Sequence, residues 1–121
     1  MTAPAQRIVY LNGDYLPETE ARVSIFDRGF LMADAVYEVT SVLGGKLIDF
    51  PGHCARLGRS LSELDMAAPC TDTELLAIHR ELIARNDITD GMIYLQVTRG
   101  NPGDRDFVFP AADTKPTLVL F

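Results

Sequence analysis

The stretch Ala35-Val36-Tyr37-Glu38-Val39-Thr40-Ser41-Val42-Leu43, followed by Gly44-Gly45 and Lys46-Leu47-Ile48, decides the fold. Its first nine residues are rich in β-branched and aromatic side chains, which fit a pleated surface. The two glycines supply the backbone freedom of a tight turn, so the stretch predicts a β-hairpin. The period then changes. After Pro51, Cys54, Leu57, Leu61 and Leu64 recur at steps of three and four, which gathers them on one face of a helix of about three to four turns.

Working outward, Arg7 to Leu11 alternates around Ile8 and Tyr10 and meets Asn12-Gly13, a pair suited to positive φ, so residues 7 to 17 form a second hairpin closed near Pro17. On the other side, Thr71-Asp72-Thr73-Glu74 is a capping box: the Thr71 hydroxyl and the Glu74 carboxylate each satisfy an amide that the first helical turn leaves without a partner. Leu75, Ile78 or His79, Leu82 and Ile83 make the buried stripe of that helix, which ends near Asn86. Met92 to Thr98 and Thr117 to Phe121 return to strand character across a loop containing Pro102, Gly103, Pro110 and Pro116. The expected fold class is α+β, a mainly antiparallel sheet with two helices packed on one face, as one small domain over residues 1–121.

Composition narrows the function. With 121 residues, 47% hydrophobic, the chain can bury a core. A net charge of −6 and only two lysines argue against nucleic acid or an anionic membrane surface as partner, because both are bound by clustered cations. Residues Met1 to Arg7 lack an apolar leader and no segment has bilayer-spanning length, so a cytoplasmic protein is expected. Cys54 and Cys70 read as reduced packing residues. No Cys/His spacing suggests a metal site, and no G-x-S-x-G elbow suggests a hydrolase.

Two blocks carry a family resemblance. Asp27-Arg28-Gly29-Phe30 runs into Asp34-Ala35-Val36-Tyr37-Glu38-Val39, and Tyr94-Leu95-Gln96-Val97-Thr98-Arg99-Gly100 runs into Arg105-Asp106-Phe107-Val108-Phe109-Pro110. In order and spacing they resemble the N-terminal half of the fold-type IV pyridoxal phosphate enzymes, the D-amino-acid and branched-chain aminotransferases. The resemblance extends from Tyr10-Leu11-Asn12-Gly13 to Thr117-Leu118-Val119-Leu120-Phe121. It implies pyridoxal phosphate as cofactor, an amino acid and a 2-oxo acid as substrates, and a homodimer. It also implies that the lysine-bearing C-terminal domain is absent from these residues, so the chain alone is expected to be inactive. Aminodeoxychorismate lyase, which resembles the same half, is the alternative activity. A non-catalytic truncated binding or assembly domain is the alternative of a different class.

Under that resemblance Arg56, in His53-Cys54-Ala55-Arg56-Leu57, is the cofactor-phosphate ligand, a role suited to the planar guanidinium fork. Tyr37 and Val39 share one strand face because side chains alternate, and they are the expected substrate-side residues; Glu38 points the other way as a structural or interface carboxylate. Arg105 matches the arginine that holds a substrate carboxylate from a loop. The D-amino-acid members often carry histidine two residues later, where this chain has Phe107, a ring that cannot donate to a carboxylate. No catalytic residue is assigned: Lys46 and Lys115 read as solvated turn and loop residues. Arg59 and Glu63 are expected to pair along the helix surface, His53 to serve packing or the helix start, Arg99 to close a strand end, and Asp27 and Arg28 to bond locally in their turn.

Overall fold

In the computed structural model, which describes residues 6–121, six strands form one antiparallel sheet in the order β2-β1-β6-β5-β3-β4. The elements are β1 (Ile8–Leu11), β2 (Asp14–Pro17), α1 (Arg28–Met32), β3 (Ala35–Leu43), β4 (Lys46–Leu47), α2 (Phe50–Glu63), α3 (Asp72–Asn86), β5 (Gly91–Thr98) and β6 (Thr117–Leu120), with a short 3-10 turn at Glu18–Glu20. Residues 1–5, which hold most of the segment searched for a leader, lie outside the described residues. No helix among the described residues is long and apolar enough to cross a membrane.

Strand alternation sets the two faces of the sheet. Val42, Ile93, Leu95, Val97, Leu118 and Leu120 point inward and meet Cys54, Leu57 and Leu61 of α2 and Leu75, Ile78 and Leu82 of α3, forming one continuous core. Both candidates for the α3 stripe are buried: Ile78 packs in the core, and His79 donates from Nδ1 to the Leu75 carbonyl at 2.7 Å, while burial pushes its pKa down. The capping box forms as expected, with the Glu74 amide donating to Thr71 Oγ1 at 3.1 Å.

Two expectations are corrected, and one short element was not foreseen. Leu64 does not complete the α2 stripe: it is the C-cap, exposed, and Met66 past the turn fills the core instead. Among the described residues Arg59 and Glu63 form no ion pair; the helix-surface pair is Glu81 with Arg85 at 2.7 Å. A short helix, α1, occupies the turn after Asp27, too brief for any apolar period to announce it.

Between β5 and β6 a long loop leaves and re-enters the sheet at a narrow neck. Thr98 and Thr117 are register partners, and Gly100 turns there with φ +100°. A Cβ at Gly100 would run into the Lys115 carbonyl, so the crossing needs glycine for space as well as conformation.

Candidate functional site

Glu38 lies on the core-facing phase of β3, 6% exposed. A carboxylate taken out of water needs compensating donors. They come from α2, which packs along β3: Arg56 donates from Nε to Oε2 at 2.7 Å and from Nη2 to Oε1 at 2.8 Å, and His53 places Nδ1 2.7 Å from Oε1. Burial pushes the Glu38 pKa up, but the bonds from Arg56 and His53 outweigh it and hold the group below its ordinary range. His53 does more than pack: its imidazole completes the shell of a buried anion.

The Arg56 side chain remains 58% exposed. A guanidinium carries five N–H donors, and Glu38 takes only two of them. Three donors therefore face outward from a group whose orientation is already fixed. Its partner also raises the Arg56 pKa, so the charge is permanent.

Tyr37 and Val39 occupy the opposite sheet face, as their alternation requires. Tyr37 is 63% exposed and stacks on Tyr94 at 5.6 Å between ring centroids; Tyr94 in turn stacks on Phe121 at 5.0 Å. The Tyr94 hydroxyl is spent on Gln96 at 2.9 Å. This row of rings crosses three neighbouring strands and leaves an apolar surface open.

Arg105 lies in the β5–β6 loop, over the ring of its neighbour Phe107 at 4.6 Å. Among the described residues no ion pair, hydrogen bond or ring contact joins Arg105 to Arg56, Tyr37 or Val39. The structure brings Arg56 to the flank of the strand that carries Tyr37 and Val39, and Arg105, among the described residues, makes no bond to them. A groove of about 1100 Å³ touches Val39, Tyr94 and Phe121 but contains neither Arg56 nor Tyr37. Asp87 and Asp90 also line it, and its arginines, Arg7 and Arg85, each lie against an exposed glutamate, so its charge does not favour an anion.

A second charged cluster lies at the neck of the loop. Asp34 Oδ2 accepts from Arg28 Nε and from Arg99 Nε, both at 2.7 Å. Desolvation raises the Asp34 pKa, and the two arginines more than reverse this. Asp27, fully buried, accepts from Thr98 Oγ1 at 3.1 Å, Thr117 Oγ1 at 2.6 Å and the Gly29 amide at 2.8 Å. Asp27 and Arg28 do bond locally, to the Gly29 amide and to Asp34, and each also has partners 71 to 90 residues away in sequence that tie α1 to the loop neck. Cys54 and Cys70 are free thiols, the first pushed by burial up to about 11, which suits a packing residue.

Glu38 faces away from Tyr37 as expected, but sequence reasoning left it, and His53, without a partner. The signal was present in part: an acidic residue on the inward phase of a strand demands a cation, and Arg56 lies on the helix that follows.

The fold and this constellation define a small α+β domain with an outward-held arginine beside an open aromatic sheet face. The amino-transferase class IV family matches residues 35–121, and the chain belongs to that family. D-alanine aminotransferase of Staphylococcus haemolyticus is 38% identical over 113 residues, covering 93% of this chain and 40% of that protein. The Listeria monocytogenes serotype 4b D-alanine aminotransferase is 38% identical over 102 residues, 84% of this chain and 35% of its own length. Among solved structures, the branched-chain amino acid aminotransferase of Escherichia coli superposes with a TM-score of 0.82 at 17% identity, covering 96% of this chain and 39% of that one, a likeness of fold alone. The 4-amino-4-deoxychorismate lyase of Pseudomonas aeruginosa gives 0.71 at 26% identity, covering 94% and 38%. The chain thus spans about 40% of the length of the first of these relatives.

Proposed function

We propose that this chain forms one wall of a pyridoxal phosphate site in an aminotransferase that moves an amino group between an amino acid and a 2-oxo acid. The observation that carries this reading is Arg56: fixed by a buried carboxylate, with three donors turned outward, it is built to receive a phosphate. The donor set fits that end of the cofactor. It does not fit the other end, because Lys46 sits beside a hairpin turn and Lys115 in a loop, both exposed. The lysine that holds the cofactor is therefore assigned to a second domain.

When bound, pyridoxal phosphate supplies the electron sink for amino-group transfer. Arg56 binds its phosphate, Tyr37 offers a hydroxyl to substrate or cofactor, and Val39 and the aromatic row keep water from that wall. Arg105 binds the substrate carboxylate, without the second polar contact that a histidine at position 107 would give. A D-amino acid is the proposed donor, on the strength of the D-alanine aminotransferases at 35–38% identity. The cytoplasm is the proposed location. A second copy of the chain is the proposed partner, covering exposed Val23, Ile25, Phe26 and Phe30; a protein that sediments as a monomer at every concentration would exclude this.

Two assays test the reading. The chain by itself should show no turnover with D-alanine and 2-oxoglutarate, and turnover would overturn the assignment of the lysine. Joined to a lysine-bearing domain, Arg56→Ala should weaken cofactor retention equally whichever amino acid is supplied; unchanged retention would refute the phosphate role. The lyase is the second reading, favoured by the 26% identical solved relative. Pyruvate release from aminodeoxychorismate with no 2-oxo acid acceptor would select it.

A further inference from the structure

We propose that Arg28 is a positioning residue that holds the loop tip carrying Arg105, and so sets where a substrate carboxylate is gripped; this rests on the role just given to Arg105. The tip is otherwise poorly supported. Residues 101–109 are all exposed, and their own side-chain bonds are short-range: the Gly103 amide to Asn101, the Arg105 amide to Asp104 and the Val108 amide to Asp106. Such a loop has little reason to keep one arrangement.

The Arg28 guanidinium supplies the missing tether. Its side chain is 6% exposed, and Nη1 donates to the carbonyls of Asp106 at 2.8 Å and Val108 at 3.3 Å. These two carbonyls flank Phe107, and the first belongs to the residue directly after Arg105. Among the described residues no other side chain from the body of the fold hydrogen-bonds to this tip. Arg28 is itself fixed, through Nε to Asp34 and through its amide to the Gly100 carbonyl at 2.9 Å. Arg99 braces the same point, sharing Asp34 and lying 5.0 Å from the Phe109 ring centroid. The tip is thus gripped from behind by a buried cation while the side chains of Phe107, Val108 and Phe109 face outward, each more than 70% exposed. Lysine could not replace this grip, since a single ammonium cannot span a carboxylate and two carbonyls as a planar fork does.

The test is a double-mutant cycle in the protein carrying both domains, with Arg28→Lys, Arg105→Ala and the pair. Misplacing a binding group by about 1 Å costs about a hundredfold, so Arg28→Lys should lower kcat/KM for amino acids roughly ten- to a hundredfold, mainly through KM, with cofactor retention unchanged. Adding Arg28→Lys to Arg105→Ala should cost nothing further. Losses that multiply, or no loss from Arg28→Lys, overturn the proposal. If Arg105→Ala alone changes nothing, the carboxylate role of Arg105 falls, and limited trypsin digestion decides Arg28 separately. Cleavage after Arg105 should then quicken in Arg28→Lys while cleavage after Arg59 stays as in the parent; equal quickening at both overturns the tether. Should Arg28→Lys fail to fold, Asp34→Asn, which loosens the same guanidinium, goes through both assays, and its failure to fold as well would show the cluster to be core structure and the proposal wrong.

Discussion

The molecule contains two clusters made of the same parts, and they do opposite work. At the loop neck, Asp34 binds Arg28 and Arg99, and both arginines are sealed in, every assigned contact leading to the protein's own groups. Beside β3, Glu38 binds Arg56, and there the carboxylate is buried while the arginine stands in water. Ion pairing alone therefore says nothing about function. What separates them is exposure: Arg28 and Arg99 are 6% and 14% exposed and tie chain to chain, whereas Arg56, at 58%, keeps its free donors at the surface.

Breaking the sealed cluster should do the most damage. Asp34→Ala leaves two mostly buried arginines without their carboxylate, and loss of one partner from a buried pair costs about 3–5 kcal/mol; urea denaturation should show it, and a change under 1 kcal/mol would mean that the cluster is ornamental. Next comes the substrate side. In the two-domain protein Arg105→Ala should leave the cofactor in place and reduce kcat/KM for amino acids by roughly 2–5 kcal/mol, nearer the upper end because Phe107 offers no second contact. Equal cofactor loss in Arg105→Ala and Arg56→Ala would show that the two arginines are not divided between substrate and phosphate.

The open cluster should declare itself in acid. The folded Glu38 carboxyl titrates below its ordinary 4.5, so its contribution to stability is present above that value and is lost as pH falls through the lower, folded one. Asp34 follows the same sign from its ordinary 3.8. Glu38→Gln should therefore flatten part of the acid limb of a stability–pH curve, and an unchanged limb would mean that Glu38 is not the group titrating there. The smallest effect belongs to the surface: Glu81→Ala removes an exposed helix pair and should cost at most about 0.5 kcal/mol.

The same contrast explains what could be foreseen from the sequence. Local signals sufficed for both hairpins, the capping box and the two long helices, because alternation, Asn-Gly and Thr-x-x-Glu act within a few residues of themselves. Tyr37 and Val39 fell on the expected face for the same reason. The clusters did not yield so readily. Glu38 and Arg56 are 18 residues apart, and Arg28 and Asp106 are 78 apart; such pairs exist only after the sheet has assembled, and no spacing rule reaches across it. Leu64 illustrates the limit from the other side: its helical phase was right, but the chain turned out of the helix at that residue and Met66 took the core position.

The constriction at Gly100 separates the loop from the sheet mechanically. With Thr98 and Thr117 paired and Gly100 passing hard against the Lys115 carbonyl, the two strand ends are closed off from whatever the chain does between them. The segment from residue 101 to 113 can then change length: because closing a loop costs only slightly more as it lengthens, insertions and deletions that keep carbonyls within reach of Arg28 can be accommodated while strand pairing holds. A graft of different length should leave amide protection at Thr98 and Thr117 unchanged. Loop length and strand pairing are thus separable properties of this domain.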